Sequence, residues 1–135
     1  MLDLASFQDQ QIMVIDEYDV IAMRQEVRQM ARQIRVDLAQ QARITAAISG
    51  VARELIVQRL SVLFTVLVRQ CGGQPVLEVR CDPQIDSPHA ARIDFEHNRN
   101  VNDARRLVDE AEFSSSDGRP QLTLRIWIER PEASL

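Results

Sequence analysis

Two carboxylates, Glu54 and Glu96, are spaced far enough apart in the chain to be an acid and base brought together by folding. Such a pair needs a nucleophile or a second base beside it, and neither is evident nearby in sequence. His89 and His97 have no Cys or further His at zinc-ligand spacing, so a metal centre is not expected. Ser114, Ser115 and Ser116 offer three hydroxyls as phosphoacceptors, but a serine run ahead of Asp117-Gly118 also has the composition of a turn. Trp127, the one tryptophan, is placed by its spacing on the polar side of a strand. There it would anchor a partner or pack under a loop.

The elements that must position these groups are legible as changes of hydrophobic period. The 135 residues carry 45% hydrophobic content and a net charge of −4, the profile of one ordinary globular domain. No basic run tracks a phosphate backbone, so nucleic acid is excluded as a partner. No apolar run has membrane-spanning length and the first residues do not form a signal peptide. Those features set the expected location in a bacterial cytoplasm, with reduced thiols. All basic residues are Arg, which fits coding bias better than phosphate recognition.

Ile12, Val14 and Ile15 suggest an edge strand. Asp19 reads as the N-cap of a first helix, whose face is Val20, Met23, Val27, Met30 and Ile34 and whose end falls near Arg35. Asp37 with Gln40 has the capping-box spacing, and Ile44, Ile48, Val51 and Leu55 stripe a second helix that stops near Leu60. From Ser61 the period drops to two, and Gly72-Gly73 divides two such runs. A two-residue turn there pairs Phe64 with Cys81, Val66 with Val79 and Val68 with Leu77 on the inner face. Thr65 with Arg80 and Leu67 with Glu78 then fall on a solvated face, and Cys71 is too far from Cys81 for a disulfide.

Residues 82–88 read as a turn-rich loop, and Ala91 to Phe95 as a third long strand. Val101 to Ala111 reads as a short helix capped by Asn100 or Asn102 and burying Ala104, Leu107 and Val108. Ser114 to Pro120 reads as loop, Leu122 to Ile128 as the last strand, and Pro131 to Leu135 as a frayed tail. The sum is an α+β two-layer sandwich, a mainly antiparallel sheet covered on one face by helices. Residues 1–135 contain no repeat and no second domain.

The segment QARITAAISGVARE, Gln41 to Glu54, resembles the second helix of RsbT-type switch kinases. These are anti-sigma regulatory serine kinases among the GHKL ATPases, which share the Bergerat fold. Tyr18 to Gln25 is similar to the family's opening helix. Asp103 to Val108, with Phe113 to Ser116, is similar to the stretch that follows its nucleotide loop.

The resemblance implies a set of roles that this chain departs from. The family's N-box has a Glu and, one helical turn on, an Asn that binds Mg²⁺; here those positions are Gly50 and Glu54. Gly supplies no side chain for chemistry. The nucleotide loop should read Asp-x-Gly-x-Gly, and the chain offers Glu96-His97-Asn98-Arg99-Asn100. Glu96 keeps an acceptor for an adenine amino group, while Asn98 and Asn100 put side chains where bare backbone is used, narrowing the pocket. The glycine-rich lid and the helix behind it are missing after Ser116, where Asp117-Gly118 leads almost directly into the last strand.

The expectation is therefore a degenerate HATPase-like domain without a cofactor or metal, acting as a non-catalytic protein-interaction module in sigma-factor or stress signalling. The family implies partners: a STAS-domain anti-anti-sigma protein, a PP2C-type phosphatase, or a second copy in a homodimer. Some relatives carry this domain ahead of a phosphatase, so the chain is also readable as the first domain of a longer protein. The alternative is an active serine kinase that uses Mg-ATP through Glu54 and Glu96 in unconventional roles. A third reading is a dimerisation domain without a signalling partner.

Overall fold

The structure is a computed structural model and describes residues 8–84, 95–116 and 119–128. In chain order it runs β1 (Gln10–Val14), α1 (Glu17–Gln33), α2 (Leu38–Val57), β2 (Ser61–Cys71), β3 (Gln74–Gln84), α3 (Arg99–Arg105), β4 (Glu110–Ser116) and β5 (Arg119–Trp127). The strands make one antiparallel sheet in the order β1-β2-β3-β5-β4. Helical residues and the inner-facing strand residues share one apolar core, so the α+β two-layer arrangement read from the sequence is the observed one.

The hairpin carries the sheet. Gly72 and Gly73 both have positive φ, 59° and 83°, which two-residue hairpin turns demand and glycine supplies without strain. The register is the expected one, with Phe64 opposite Cys81, Val66 opposite Val79 and Val68 opposite Leu77. Cys81 is buried and Cys71 exposed, both as free thiols, and burial pushes the Cys81 thiol pKa up. β1 lies at the edge beside β2, with Ile12 and Val14 facing inward.

The cap of α1 is Asp16 rather than Asp19. Asp16 Oδ1 accepts from Asp19 N–H at 3.1 Å, while Asp19 Oδ2 accepts from the Ile15 and Asp16 N–H groups at 2.9 and 3.3 Å. Two Asp three residues apart form a reciprocal box, and the first of them is the cap. At α2 the Asp37 carboxylate accepts from Gln40 N–H at 2.7 Å, but the Gln40 side chain does not turn back. It donates to the Trp127 carbonyl at 2.6 Å and ties the helix to β5.

Both long helices end alike. Arg35 and Arg59 sit at φ 60° and 62°, and Val36 N–H to Ala31 O (2.9 Å) and Leu60 N–H to Leu55 O (2.8 Å) close the last turns. These are Schellman closures with Arg where glycine is favoured.

The C-terminal half departs most from expectation. The third helix spans only Arg99–Arg105, its cap is Asn98 rather than Asn100 or Asn102, and it buries Val101 and Ala104. Leu107 and Val108 lie beyond it, partly buried, because backbone bonds from Arg106, Leu107 and Val108 to carbonyls three residues earlier tighten the chain into a turn. Ser114 to Ser116 and Arg119-Pro120, expected as loop, are strand. Alternation of Ala111 and Phe113 toward the core is enough to pair β4 with β5. The third long strand expected at Ala91 to Phe95 falls largely on residues 85–94, which lie outside the described residues, as do His89 and the tail from Pro131; Phe95 itself is in a turn.

Candidate functional site

The α2 segment that carries the family resemblance is a buried polar seam. Gln41 Nε2 donates to the Val36 carbonyl at 2.8 Å, Thr45 Oγ1 to the Gln41 carbonyl at 2.8 Å, and Ser49 Oγ to the Thr45 carbonyl at 2.6 Å. These residues settle their own donors inside the fold, so their role here is structural. The opposite side of the same helix faces α3 across a groove of about 320 Å³. Ala46, Gly50 and Val57 form its apolar side on α2, and Ala104 and Leu107 form it on the other wall. Arg53, Glu54 and Asp103 supply charge at its margin. Arg53 is held by Glu17 at 2.9 Å, both half exposed.

Glu54 is the focus of the groove. Its Oε1 accepts from Asn98 Nδ2 at 2.6 Å and from Gln58 Nε2 at 3.0 Å, and its Oε2 accepts from Asn100 Nδ2 at 2.5 Å. Burial raises the pKa of this carboxyl, but the bonds from Asn100, Asn98 and Gln58 outweigh it and hold the group below the usual carboxylate range. Asn98 has a second duty. Its Oδ1 accepts from Val101 N–H at 3.0 Å, so one side chain caps α3 and clasps α2.

Of the sequence-identified positions, Gly50, Glu54 and Asn100 line one groove, and Asn98 closes onto it through Glu54. An ideal Cβ on Gly50 would lie 4.0 Å from the Asn100 carbonyl, its nearest neighbour, so the glycine is not forced by crowding. Glu96 is elsewhere. It lines a separate cavity of about 350 Å³ with Phe95, Phe113, Ser114 and Pro120, and its backbone carbonyl accepts from Asn102 Nδ2 at 3.0 Å. The acid and base pair imagined for Glu54 and Glu96 is thus divided between two cavities.

Phe95 stacks on Phe113 with ring centres 6.4 Å apart, and the Arg105 guanidinium lies 4.7 Å over the Phe113 ring. Ser116 pairs directly with Arg119 at the end of β4. Among the described residues no cluster of His, Cys, Asp and Glu is arranged to hold a metal ion, and no helix is long and apolar enough to cross a membrane.

One charged constellation escaped the reading of the sequence. Glu78, on the sheet face away from the helices, is only 1% exposed. It accepts from Arg125 Nε at 2.8 Å and Arg80 Nε at 2.9 Å, with Arg69 at 3.6 Å. Arg125 in turn reaches Glu110 at 2.9 Å and Glu112 at 3.0 Å. Burial raises the Glu78 pKa, and the arginines more than reverse this, leaving it lowered. The face expected to be simply solvated is therefore partly dry. The signal for it was the Glu78-x-Arg80 spacing, which puts opposite charges side by side on one face of a strand.

No protein-family model and no curated protein sequence matches the chain. Among solved structures it is similar to the RsbU and RsbW domains of Rv1364c from Mycobacterium tuberculosis, at 17% identity and a TM-score of 0.60 over 93% of this chain. The likeness shows the fold: this chain shares the α+β arrangement of the region it matches. It spans 34% of the length of that protein, so the likeness concerns one region of a longer molecule.

Proposed function

We propose that the chain is a non-catalytic protein-interaction module of sigma-factor or stress signalling, built on a switch serine kinase fold that no longer binds ATP. One observation carries this reading: both oxygens of Glu54 accept from the amides of Asn98 and Asn100, the residues standing where the family's nucleotide loop has glycines. A carboxylate whose lone pairs face protein amides is a poor ligand for Mg²⁺, and an unneutralised carboxylate repels polyphosphate. Gly50 provides no group to position a reacting hydroxyl. The direct pairing of Ser116 with Arg119 leaves no room for a phosphate-enclosing loop at that point.

What such a module does is bind proteins. The partner classes we propose from the family resemblance are a STAS-domain anti-anti-sigma protein and a PP2C-type phosphatase, and the setting is the cytoplasm. The kinase alternative requires Glu54 to leave its amide partners and take a metal.

The test combines a pull-down with a transfer assay. The full chain is mixed with STAS proteins encoded near it, with and without Mg-ATP. Nucleotide-independent capture without phosphate transfer is the expected result. Transfer of phosphate to a STAS serine would refute the non-catalytic reading, and failure to capture any STAS protein would refute that partner class.

A further inference from the structure

β4 is the last strand of the sheet, with β5 on one side and, among the described residues, no strand on the other. The direction of its free backbone groups follows from one bond. Ile128 N–H, just past β5, donates to the Pro75 carbonyl at 2.9 Å, so even-numbered residues of β5 turn their backbone groups to β3 and odd-numbered ones to β4. Arg125 stands opposite Glu110 and Thr123 opposite Glu112, so the even-numbered residues of β4 take those bonds. The N–H and C=O groups of Ala111, Phe113 and Ser115 therefore point out of the sheet.

Proteins blunt an open edge with lysine, proline or an inward-pointing charge. The three residues with open backbone groups supply none of these. Glu110 and Glu112, the charges of β4, are drawn to Arg125 on the other face. Ala111 and Phe113 pack on the helical face, and alternation puts Ser115 on the same side.

A cavity lies beside each end of this row. At Ala111, one of about 450 Å³ is lined by Asn102, Arg105, Arg106, Asp109 and Glu110. Its carboxylates are engaged, because Asp109 Oδ2 accepts from Trp127 N–H at 2.8 Å and Glu110 from Arg125 at 2.9 Å. Arg106 holds Asp103 at 3.0 Å. Arg105 is exposed and meets the Asn102 amide oxygen at 3.2 Å and the Phe113 ring, and no carboxylate among the described residues pairs with it. At Ser115 lies the cavity formed by Phe95, Phe113 and Pro120, mainly apolar, with Glu96 in its wall.

On the reading of the chain as a protein-interaction module, we infer that β4 takes an extended segment of a protein partner as an added antiparallel strand, in which an apolar residue precedes an acidic one by the Ala111 to Ser115 spacing. A residue paired with Ala111 or Ser115 projects to the same side of the sheet as they do, so the segment's side chains at those positions aim at the two cavities. The two positions stand about 14 Å apart along a strand, within reach of alternate side chains of one short segment. Charge fixes the order. An acidic group opposite Ala111 meets Arg105, whereas the same group opposite Ser115 meets Glu96. In an antiparallel segment the residue opposite Ser115 comes first.

The probe is a fluorescein-labelled peptide, Thr-Leu-Thr-Val-Thr-Glu-Thr, titrated with the full chain and read by polarisation. Beside it are the same peptide with Leu and Glu exchanged and one with Lys in place of Glu. The variants are Arg105→Glu and Ser115→Pro, the second of which removes an outward N–H and leaves the bonds to β5. Both positions are exposed, so the fold should persist, as circular dichroism will show.

The expected result is saturable binding of the first peptide, weakened at least about tenfold by the Leu and Glu exchange, by Ser115→Pro and by Arg105→Glu. The Lys peptide should bind Arg105→Glu better than the wild type. No saturable binding at submillimolar chain, or binding indifferent to Ser115→Pro or to the charge changes, would overturn the inference. So would self-association that Ser115→Pro abolishes with no peptide bound, which would give the edge to a second copy. Capture of a STAS protein undiminished by Ser115→Pro would overturn it too and leave the module reading standing. Peptide binding at this edge by a chain that captures no STAS protein would support it and remove only that partner class.

Discussion

Nδ2 of Asn100 lies 2.5 Å from Oε2 of Glu54, joining the start of α3 to the last turns of α2. With Asn98 on the other oxygen, the clasp makes Glu54 a structural staple. The two asparagines should not contribute equally. Asn98→Ala removes a helix cap, worth about 1 kcal/mol, and a bond to a charged acceptor, for a loss of roughly 2–3 kcal/mol in urea unfolding. Asn100→Ala removes one exposed bond and should cost about 0.5–1 kcal/mol. Equal losses would mean that the cap and the clasp are not combined in Asn98.

Gly50→Ala should stabilise the chain. Mid-helix glycine costs about 0.8–1.0 kcal/mol relative to alanine, and the added methyl would meet nothing nearer than the Asn100 carbonyl at 4.0 Å. A higher unfolding midpoint of that size is expected; a lower one would show that the groove needs the glycine's bare surface.

The sheet register was legible because three signals agreed: the alternation from Ser61, the Gly72-Gly73 pair and the matching alternation from Gln74. Val66→Asp, on the inner face with no exposure, should unfold the chain or destabilise it by more than about 3 kcal/mol, whereas Thr65→Asp should be tolerated. Matching thermal melts for the two variants would contradict the register. Elsewhere the signals conflicted. Leu107 and Val108 continue the helical spacing from Ala104, yet the chain tightens at Arg106 and leaves the helix. The end of β4 reads as loop because the serine run Ser114 to Ser116 ahead of Asp117-Gly118 has turn composition, and its pairing with β5 makes it a strand. The pairing of Glu54 with Asn98 and Asn100 spans more than forty residues, and no local pattern announces it.

Acid should weaken the fold through Glu54 and Glu78, whose pKa values are both lowered. A depressed carboxyl pKa contributes stability in full above the unfolded value of about 4.3, and loses it as pH falls through the folded value. Unfolding free energy should therefore be flat in these groups near neutrality and drop below about pH 4.3, by up to about 1.4 kcal/mol per pH unit for each extra proton bound on unfolding. Glu78→Gln should flatten part of that acid limb while lowering stability at neutral pH, since Arg125 and Arg80 lose their shared carboxylate. An acid limb unchanged by this variant would show that Glu78 titrates alike in both states.

The double change Gly50→Glu with Glu54→Asn places at both positions the residue types that the resemblance to the N-box implies. Phosphate transfer should still be absent, because Asn98 and Asn100 stay in place and Ser116 still pairs with Arg119. Recovery of turnover in this variant would show that the two N-box positions alone separate the chain from an active kinase.

The most direct measurement is a calorimetric titration of Mg-ATP into the unmodified chain. Glu54 held by two asparagine amides, and the loss of two or three charge-assisted contacts worth about 1.5–3 kcal/mol each, should weaken binding by a hundredfold or more relative to an active site. No binding heat and no magnesium-dependent rise in melting temperature at millimolar nucleotide are the predicted results. Saturable micromolar binding that requires magnesium, with a matching rise in melting temperature, would contradict the account and establish a working nucleotide site.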